Sequence, residues 1–387
     1  MSVVMQAPSG FTSGNVTGPS GTTYTLNSAM QVTASTNDVA FLLGLNFTAI
    51  GGPAAFVCNP RNILDAGDFT TNPWQRNISG LWSSSGISGV ITNTPIYFPD
   101  RWFVVAGASS SVQMAKISDG SIQNFNQSLK ISRTVGNTDV STINFGQAVK
   151  TATSISVQGQ QVSFSFWAKQ GANYSGGALS VAVITGTGNN QTAAQMVNVA
   201  WTGQASSVTG SQSLTTSMTR YTFTGNLPAT ATQVGVLLSW KPTGTAGADD
   251  SITINGLQLE IGASASAFEH MDLAHVLLMC QTYAYCIPEP PSGVLMAIGG
   301  ATQGANAQQF YKLLPTTMFV APTVTVGTGS FKVCAGAAAA TATGLAAGAT
   351  HTQNEISLVS TLTQAAGGAA SLQGGGGTGY ILASSDF

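Results

Sequence analysis

Short runs in which apolar and polar residues alternate fill most of this chain, and helical spacing is confined to a few places. Residues 161–168 set the pattern. Val162, Phe164, Phe166 and Ala168 fall on one side, and Ser163, Ser165 and Trp167 on the other, as a strand with one buried face requires. Segments 178–184, 196–201, 220–223, 233–240 and 251–259 behave in the same way. Gly, Ser, Thr and Asn turns separate them, with no helical pattern between. Strands at this spacing predict a mainly β fold whose centre, residues 58–268, is a jelly-roll β-sandwich.

The two ends read differently. Residues 1–57 form a small module of their own. Segments 22–26 and 30–34 alternate like two short strands joined by Asn27–Ser28. A short helix is expected over 37–43, capped by Ser35 or Thr36, with Asp38 in its first turn and Gly44 at its end. Gly51-Gly52-Pro53 marks a boundary.

Residues 269–291 read as a helix followed by a Pro-rich linker. Ser266-Ala267-Phe268-Glu269 matches a capping box. Leu273, Leu277, Cys280 and Ala284 then recur at 4-3-4 spacing, and Pro288, Pro290 and Pro291 stop the pattern. Two arrangements fit this stripe: a helix lying on the sandwich, or a helix cluster around a three-fold trimer axis.

The C-terminal residues 292–387 return to β patterning, as in 318–326. The stretch 335–349, almost all Ala, Gly and Thr, has no bulky side chain for a core. It is read either as a close-packing surface for another subunit or as a flexible loop. Phe310, Tyr311 and Leu313 are expected in the core, with an exposed aromatic patch over 304–314 as the alternative, Gly374–Gly377 as a flexible hinge, and 380–382 as a last strand.

Composition changes the picture. Of 387 residues only 12 are Lys or Arg and 14 Asp or Glu, so 7% are charged, against about 25% in ordinary soluble domains. The hydrophobic fraction of 43% and net charge of −2 indicate folding rather than disorder. Solubility then rests on hydroxyls and amides, which suits faces buried in an assembly. The near-neutral balance argues against a nucleic-acid partner. Four cysteines without a C-x-x-C pair and three histidines argue against zinc. Cys280 and Cys286 are expected as free thiols. No signal-peptide pattern opens the chain, and no apolar run reaches membrane-spanning length, so no membrane insertion is expected.

Four pieces of the middle region belong together: residues 62–76 (NILDAGDFTTNPWQR), Pro99-Asp100-Arg101-Trp102, the 164–169 run FSFWAK, and Leu257-Gln258-Leu259-Glu260-Ile261-Gly262 with Ala267-Phe268-Glu269 and 279–283 (MCQTY) after it. As a set in this order they resemble phage tail-fibre and related virion proteins whose jelly roll is like that of carbohydrate-binding modules. His270 and Met271 depart from that pattern, which usually carries a basic residue there. The Gly21-Thr22-Thr23-Tyr24 and Asn37-Asp38-Val39-Ala40 segments also resemble short leader domains of virion proteins.

The resemblance implies a structural protein on the virion surface, assembled in the host cytoplasm. Its residues 1–57 would attach to capsid or tail proteins, and its subunits would form a homotrimeric fibre or decoration. A tail-tip receptor-binding protein recognising cell-surface polysaccharide is the alternative reading.

Candidate chemistry is sparse. Trp74, Arg76, Arg101 and Trp102 suit glycan recognition, since rings stack on pyranose faces and guanidiniums donate to hydroxyls. The competing expectation is that the tryptophans fill the core while Arg76 and Arg101 pair with Asp68 or Asp100. Jelly rolls of the resembled kind often hold a structural calcium. Asn62, Asp65, Asp68 and Glu260 are its candidate ligands; otherwise Glu260 serves as a cap or ion-pair partner. No other cofactor is expected. A polysaccharide depolymerase would need two carboxyls about 5–10 Å apart. The only adjacent pair, Asp249-Asp250, lies in a Gly/Ala-rich loop where solvation would leave both groups ordinary. No nucleophile elbow is present, and a non-enzymatic role is expected.

Overall fold

The computed structural model describes residues 2–7, 15–17, 20–26, 31–35, 48–49, 61–77, 94–302, 308–335, 338–341, 343–361 and 370–386. The chain divides into two compact units, Met1–Arg61 and Asn62–Phe387. No helix among the described residues is long and apolar enough to cross a membrane.

In the first unit, strand Gln31–Ser35 pairs with Ser2–Gln6, which also pairs with Thr48–Ala49. Thr23–Thr25 pairs instead with Asn15–Thr17. The two expected strands therefore exist but do not pair with each other. The 37–43 helix and the 51–53 boundary lie outside the described residues.

The second unit opens with a two-sheet antiparallel sandwich. One sheet orders Ala205–Gln212, Leu179–Gly186, Gln233–Trp240, Ile143–Val149, Phe103–Val105 and Ile96–Tyr97; the other orders Thr219–Asn226, Gln161–Gln170, Ser251–Ile261, Gln127–Arg133 and Val112–Ser118. The inward positions of Gln161–Gln170 are those read from its alternation, and Val162, Phe164, Phe166 and Ala168 are fully buried. They meet Phe145, Val181, Val183, Val236 and Leu238 of the facing sheet. Each buried Phe of this kind contributes about 2–3 kcal/mol.

Strand Ser251–Ile261 shows how one residue sets register. Ile252 and Ile254 face the core, then Leu257 and Leu259 do, so the parity changes between them. The register against Gln161–Gln170 shifts there, and Gly256 has φ +59°. A bulge with Gly in the left-handed region inserts one extra residue and returns the next leucines to the core face.

Segment 196–201, expected as a strand, is instead the end of a short helix, Ala193–Val197, and the turn after it. Thr192 and Gln195 form a reciprocal capping box: Gln195 N donates to Thr192 Oγ1 at 3.1 Å, and Thr192 N to Gln195 Oε1 at 2.8 Å. Met196 and Trp201 cover Phe103, Val105, Ala148 and Ile184 on the outer face of the six-stranded sheet. Capping thus outweighs a short alternating run.

The second helix of note runs from Leu273 to Gln281 and is capped by Asp272, whose carboxylate accepts from Ala274 N at 2.8 Å. Ser266 is not its cap; that hydroxyl donates to Glu260. Val276 and Cys280 pack against Ala66 of the jelly roll. The chain turns at Thr282 and enters strand Ala284–Pro288, so the expected helix is present but much of the expected linker after it is a strand.

This strand belongs to the C-terminal β module. There Ala284–Pro288, Tyr380–Ser384 and Thr323–Val326 form one sheet, and seven strands from Leu295–Thr302 to Ala370–Gln373 form another. Phe310, Ile356, Leu358, Leu372 and Ile381 build its core. Tyr311 and Leu313 lie on exposed positions of the same strand as Phe310, so of the three only Phe310 takes the expected place. Strand 318–326 shortens to Thr323–Val326, and the 335–349 stretch contributes strands Ala338–Thr341 and Thr343–Ala347.

Gly374–Gly377 is not a hinge. Gly375 N and Gly379 N each donate to the Glu289 carboxylate at 2.9 Å, joined by Ser330 N. A Cβ on Gly374 would stand 2.1 Å from Pro290 O and one on Gly375 1.7 Å from Ser330 O. Glycine is needed here for close packing of backbone.

Candidate functional site

Residues 62–76 and 99–102 meet at the edge of the jelly roll, stitched by one amide. Asn72 Nδ2 donates to Ala66 O and Asp100 O, and its Oδ1 accepts from Trp74 N and Asp100 N. Ala66, Trp74 and Arg101 adopt positive φ, at 52°, 50° and 72°. Such conformations persist where surrounding bonds hold them.

This turn places the four glycan candidates inside the protein. Trp74 Nε1 donates to Phe69 O at 3.0 Å, and its ring lies 5.3 Å from Phe98. Trp102 stacks on Phe145 at 5.2 Å and donates to Asp65 O. Neither ring has an open face for a sugar, and both belong to the main core. The glycan assignment of Trp74, Arg76, Arg101 and Trp102 is therefore corrected. Large aromatics with their single polar atom satisfied contribute most when fully removed from water.

Arg76 and Arg101 point instead into the joint with the C-terminal β module. Arg76 Nη2 is paired with the Asp386 carboxylate, and Nη1 lies 3.6 Å from Asp100 Oδ1. Arg101 Nε donates to Asp65 Oδ2 at 3.1 Å and Nη2 to Ala148 O at 2.9 Å, while Nη1 is 3.6 Å from Asp386 Oδ1. The Arg101 guanidinium also lies over the Tyr283 ring. Gln75 completes the seam: its N donates to Asp100 Oδ2, and its Nε2 to Ala284 O. Burial pushes the Asp100 carboxyl up to about 6, with Arg76 offsetting only part of that.

The calcium candidates do not converge. Asn62 Oδ1 accepts from Leu64 N and Leu259 N. Asp65 pairs with Arg101, Asp68 with Thr70 N and His270 Nδ1, and Glu260 with Ser266 and Gln258 Nε2. Each oxygen set already has its own donors, and no group of three or more metal-ligating His, Cys, Asp or Glu side chains occurs among the described residues. The residues do not fit a bound calcium, which needs six to eight oxygens converging on one point.

The trimer stripe is also redistributed. Within the helix Cys280 is buried against the jelly roll, Leu277 is half-buried, Leu273 is 54% exposed, and Ala284 has left the helix for a strand. That stripe cannot serve as a seam, because its centre is already covered. The solvent side of the helix carries Ala274, His275 and Leu278, with Leu278 54% exposed.

The Asp249-Asp250 pair is not left to solvent. Asp250 is buried and paired with Arg133 Nη1 at 2.8 Å, and Asp249 bonds Lys130 Nζ at 2.8 Å. Both carboxylates are thus held by cations of strand Gln127–Arg133.

One aromatic cluster escaped the sequence reading. On the outer face of the five-stranded sheet, Phe125, Trp167, Phe268 and His270 make mutual ring contacts of 4.8–6.3 Å. The Arg220 guanidinium lies 4.6 Å from the Trp167 ring. The outward parity of Trp167 was legible; Phe268 and His270 come from loop 262–272, folded over the sheet by Glu260, Gln258 and Arg220, and Phe125 from the turn before strand Gln127–Arg133.

No family model matches the chain, and no curated protein matches it. Among solved structures it is similar to one described as "CBM4 structure and function", at 20% identity over 42% of this chain and 88% of that one, with a TM-score of 0.28. It is similar to the CBM22-1 xylan-binding domain of Paenibacillus barcinonensis Xyn10C, at 13% identity over 47% and 99% of the two chains, TM-score 0.28. A third is the enzymatically active domain of bacteriophage CBA120 tailspike protein 4, at 14% identity over 50% of this chain and 23% of that one, TM-score 0.29. Likenesses of this size carry no argument about ligand or activity.

Proposed function

We propose that this chain is a non-enzymatic structural protein of a tailed-phage surface, working as a subunit of a homotrimeric fibre or decoration on capsid or tail. In this reading residues 1–57 attach it to the particle and the jelly roll with its C-terminal module forms the displayed body. The observation that carries the proposal is where the few charges go. Arg76, Arg101, Arg133, Asp68, Asp100, Asp250 and Glu260 are all buried. A chain already poor in charge thereby carries still fewer charges among the hydroxyls, amides and apolar groups of its surface. Such a surface gives up little hydration when covered and resists association poorly. The ordered set of phage-like segments supplies the particle.

Light scattering tests it. The expected mass is three times 39.4 kDa. A mass of 39.4 kDa for the native protein overturns the proposal.

A second reading, glycan binding, is favoured by the half-buried Trp167–Phe268 cluster beside Arg220. A glycan array that is blank for the wild type, or unchanged by Trp167→Ala, removes this cluster from consideration.

A further inference from the structure

The joint between the jelly roll and the C-terminal β module gathers ionisable groups from both sides into one dry cluster. Arg76, Asp100, Arg101 and Asp386 side chains are each at most 4% exposed, and Asp65 reaches 22%. Two cations thus face three carboxylates. With every group ionised, the cluster holds one uncompensated negative charge in a poorly solvated place, which is costly. The neighbouring ionisable groups are Tyr97, Tyr283, Cys280 and Cys286. Removal from water pushes each of these up, so they stay neutral and leave the imbalance to the carboxylates.

Geometry singles out one of the three. Asp386 is taken by Arg76 Nη2, and Asp65 accepts from Arg101 Nε at 3.1 Å. Asp100 is the carboxylate whose guanidinium contact is longest, 3.6 Å, and it is held by neutral donors, Gln75 N at 2.8 Å and Gln75 Nε2 at 3.2 Å. The same Gln75 amide bonds Ala284 O of the C-terminal module. Next to it, Ser385 N donates to Tyr283 O at 2.7 Å, and strand Tyr380–Ser384 pairs with Ala284–Pro288.

We propose that this cluster is a proton-operated clasp: as pH falls from neutral to mildly acid, Asp100 takes up one proton, the cluster becomes charge-balanced, and the C-terminal module is held more tightly to the jelly roll. The direction follows from linkage. The Asp100 carboxyl lies higher in the folded chain, about 6, than its ordinary 3.8. Its ionised form is therefore disfavoured by folding, and stability is lost as pH rises through about 6. This inference stands apart from the assembly reading.

Hydrogen exchange on the intact protein tests the clasp. Amides of 380–385, corrected for intrinsic rates, are expected to exchange about tenfold more slowly at about pH 5 than at about pH 7.5. Asp100→Asn is expected to show the slower rate at both. Equal or faster exchange of the wild type in acid, or an unchanged pH response in Asp100→Asn, overturns the proposal. Should that variant fail to fold, infrared titration of wild type labelled at aspartate decides. A protonated carboxyl band emerging as pH falls through about 6 is expected; none until the ordinary aspartate range overturns the clasp.

Discussion

The guanidinium carbon of Arg101 sits 3.5 Å from the centre of the Tyr283 ring, joining a jelly-roll turn to the chain that leaves the 273–281 helix. Arg101 also donates to Asp65 and Ala148 O. A planar, delocalised cation is required to stack and donate sideways at once. Arg101→Lys keeps the charge but loses the stack and at least one bond. It is expected to cost about 2–4 kcal/mol, measured by urea unfolding. A loss below about 0.5 kcal/mol, the level of an ordinary surface change, would count against a structural role for this contact.

Trp74 and Trp102 offer a second test, because they separate core from contact. Trp74→Ala and Trp102→Ala are each expected to cost about 3–5 kcal/mol, read by thermal or urea unfolding. Trp167→Ala, on the outer face, is expected to cost about 1–2 kcal/mol and to leave the sandwich folded. Any glycan signal lost with the first two but kept with Trp167→Ala at full folding would return recognition to the 74–102 turn.

These residues also show what a sequence discloses. Alternation found the inward face of 161–168 because each strand residue there has one fixed side. It located 233–240 to the residue. It failed at 196–201, where Thr192 and Gln195 cap a helix turn; the T-A-A-Q signal was present but unread. The expected pairing of Arg76 with Asp100 is present, at 3.6 Å, but the carboxylate that Arg76 and Arg101 share was not legible. Their partner Asp386 lies 310 residues from Arg76 along the chain, and no local pattern reports so distant a pairing. The helix takes the first of its two expected arrangements and lies on the sandwich, but spacing cannot say which turn meets it: Cys280 meets Ala66, while Leu273 meets solvent.

Gly256 is expected to resist any side chain. Its φ is +59°, and an added Cβ would stand 2.5 Å from Trp167 Cε3 and 3.0 Å from Phe125 Cζ. Gly256→Ala combines a left-handed backbone cost with displacement of a tryptophan, about 2 kcal/mol or more. Urea unfolding gives the size, and near-ultraviolet dichroism reports whether Trp167 has moved. A neutral result would mean the bulge can slide. Sliding by one residue would turn Leu257 and Leu259 outward, so neutrality is not expected.

Glu289 supplies an acid limb opposite in sign to that of Asp100. Burial acts to raise its carboxyl, but bonds from Ser330, Gly375, Gly379 and Gly377 backbone outweigh it and hold the group below its ordinary 4.5. A carboxyl depressed by folding adds stability above its unfolded value and loses it as pH falls through the folded one. Asp100 works the other way, losing stability as pH rises from its ordinary 3.8 through about 6. The chain is therefore expected to lose stability through Glu289 as pH falls below its ordinary 4.5, and through Asp100 as pH rises from its ordinary 3.8 to about 6, with the C-terminal module failing first on the acid side. Glu289→Gln should remove that acid loss and cost about 1 kcal/mol near neutral pH, a modest figure because the carboxylate is only half-buried. Thermal unfolding across pH, followed by exchange at the 375–379 amides, checks both. If Glu289→Gln kept the full acid loss, some other carboxylate would have to hold the glycine loop.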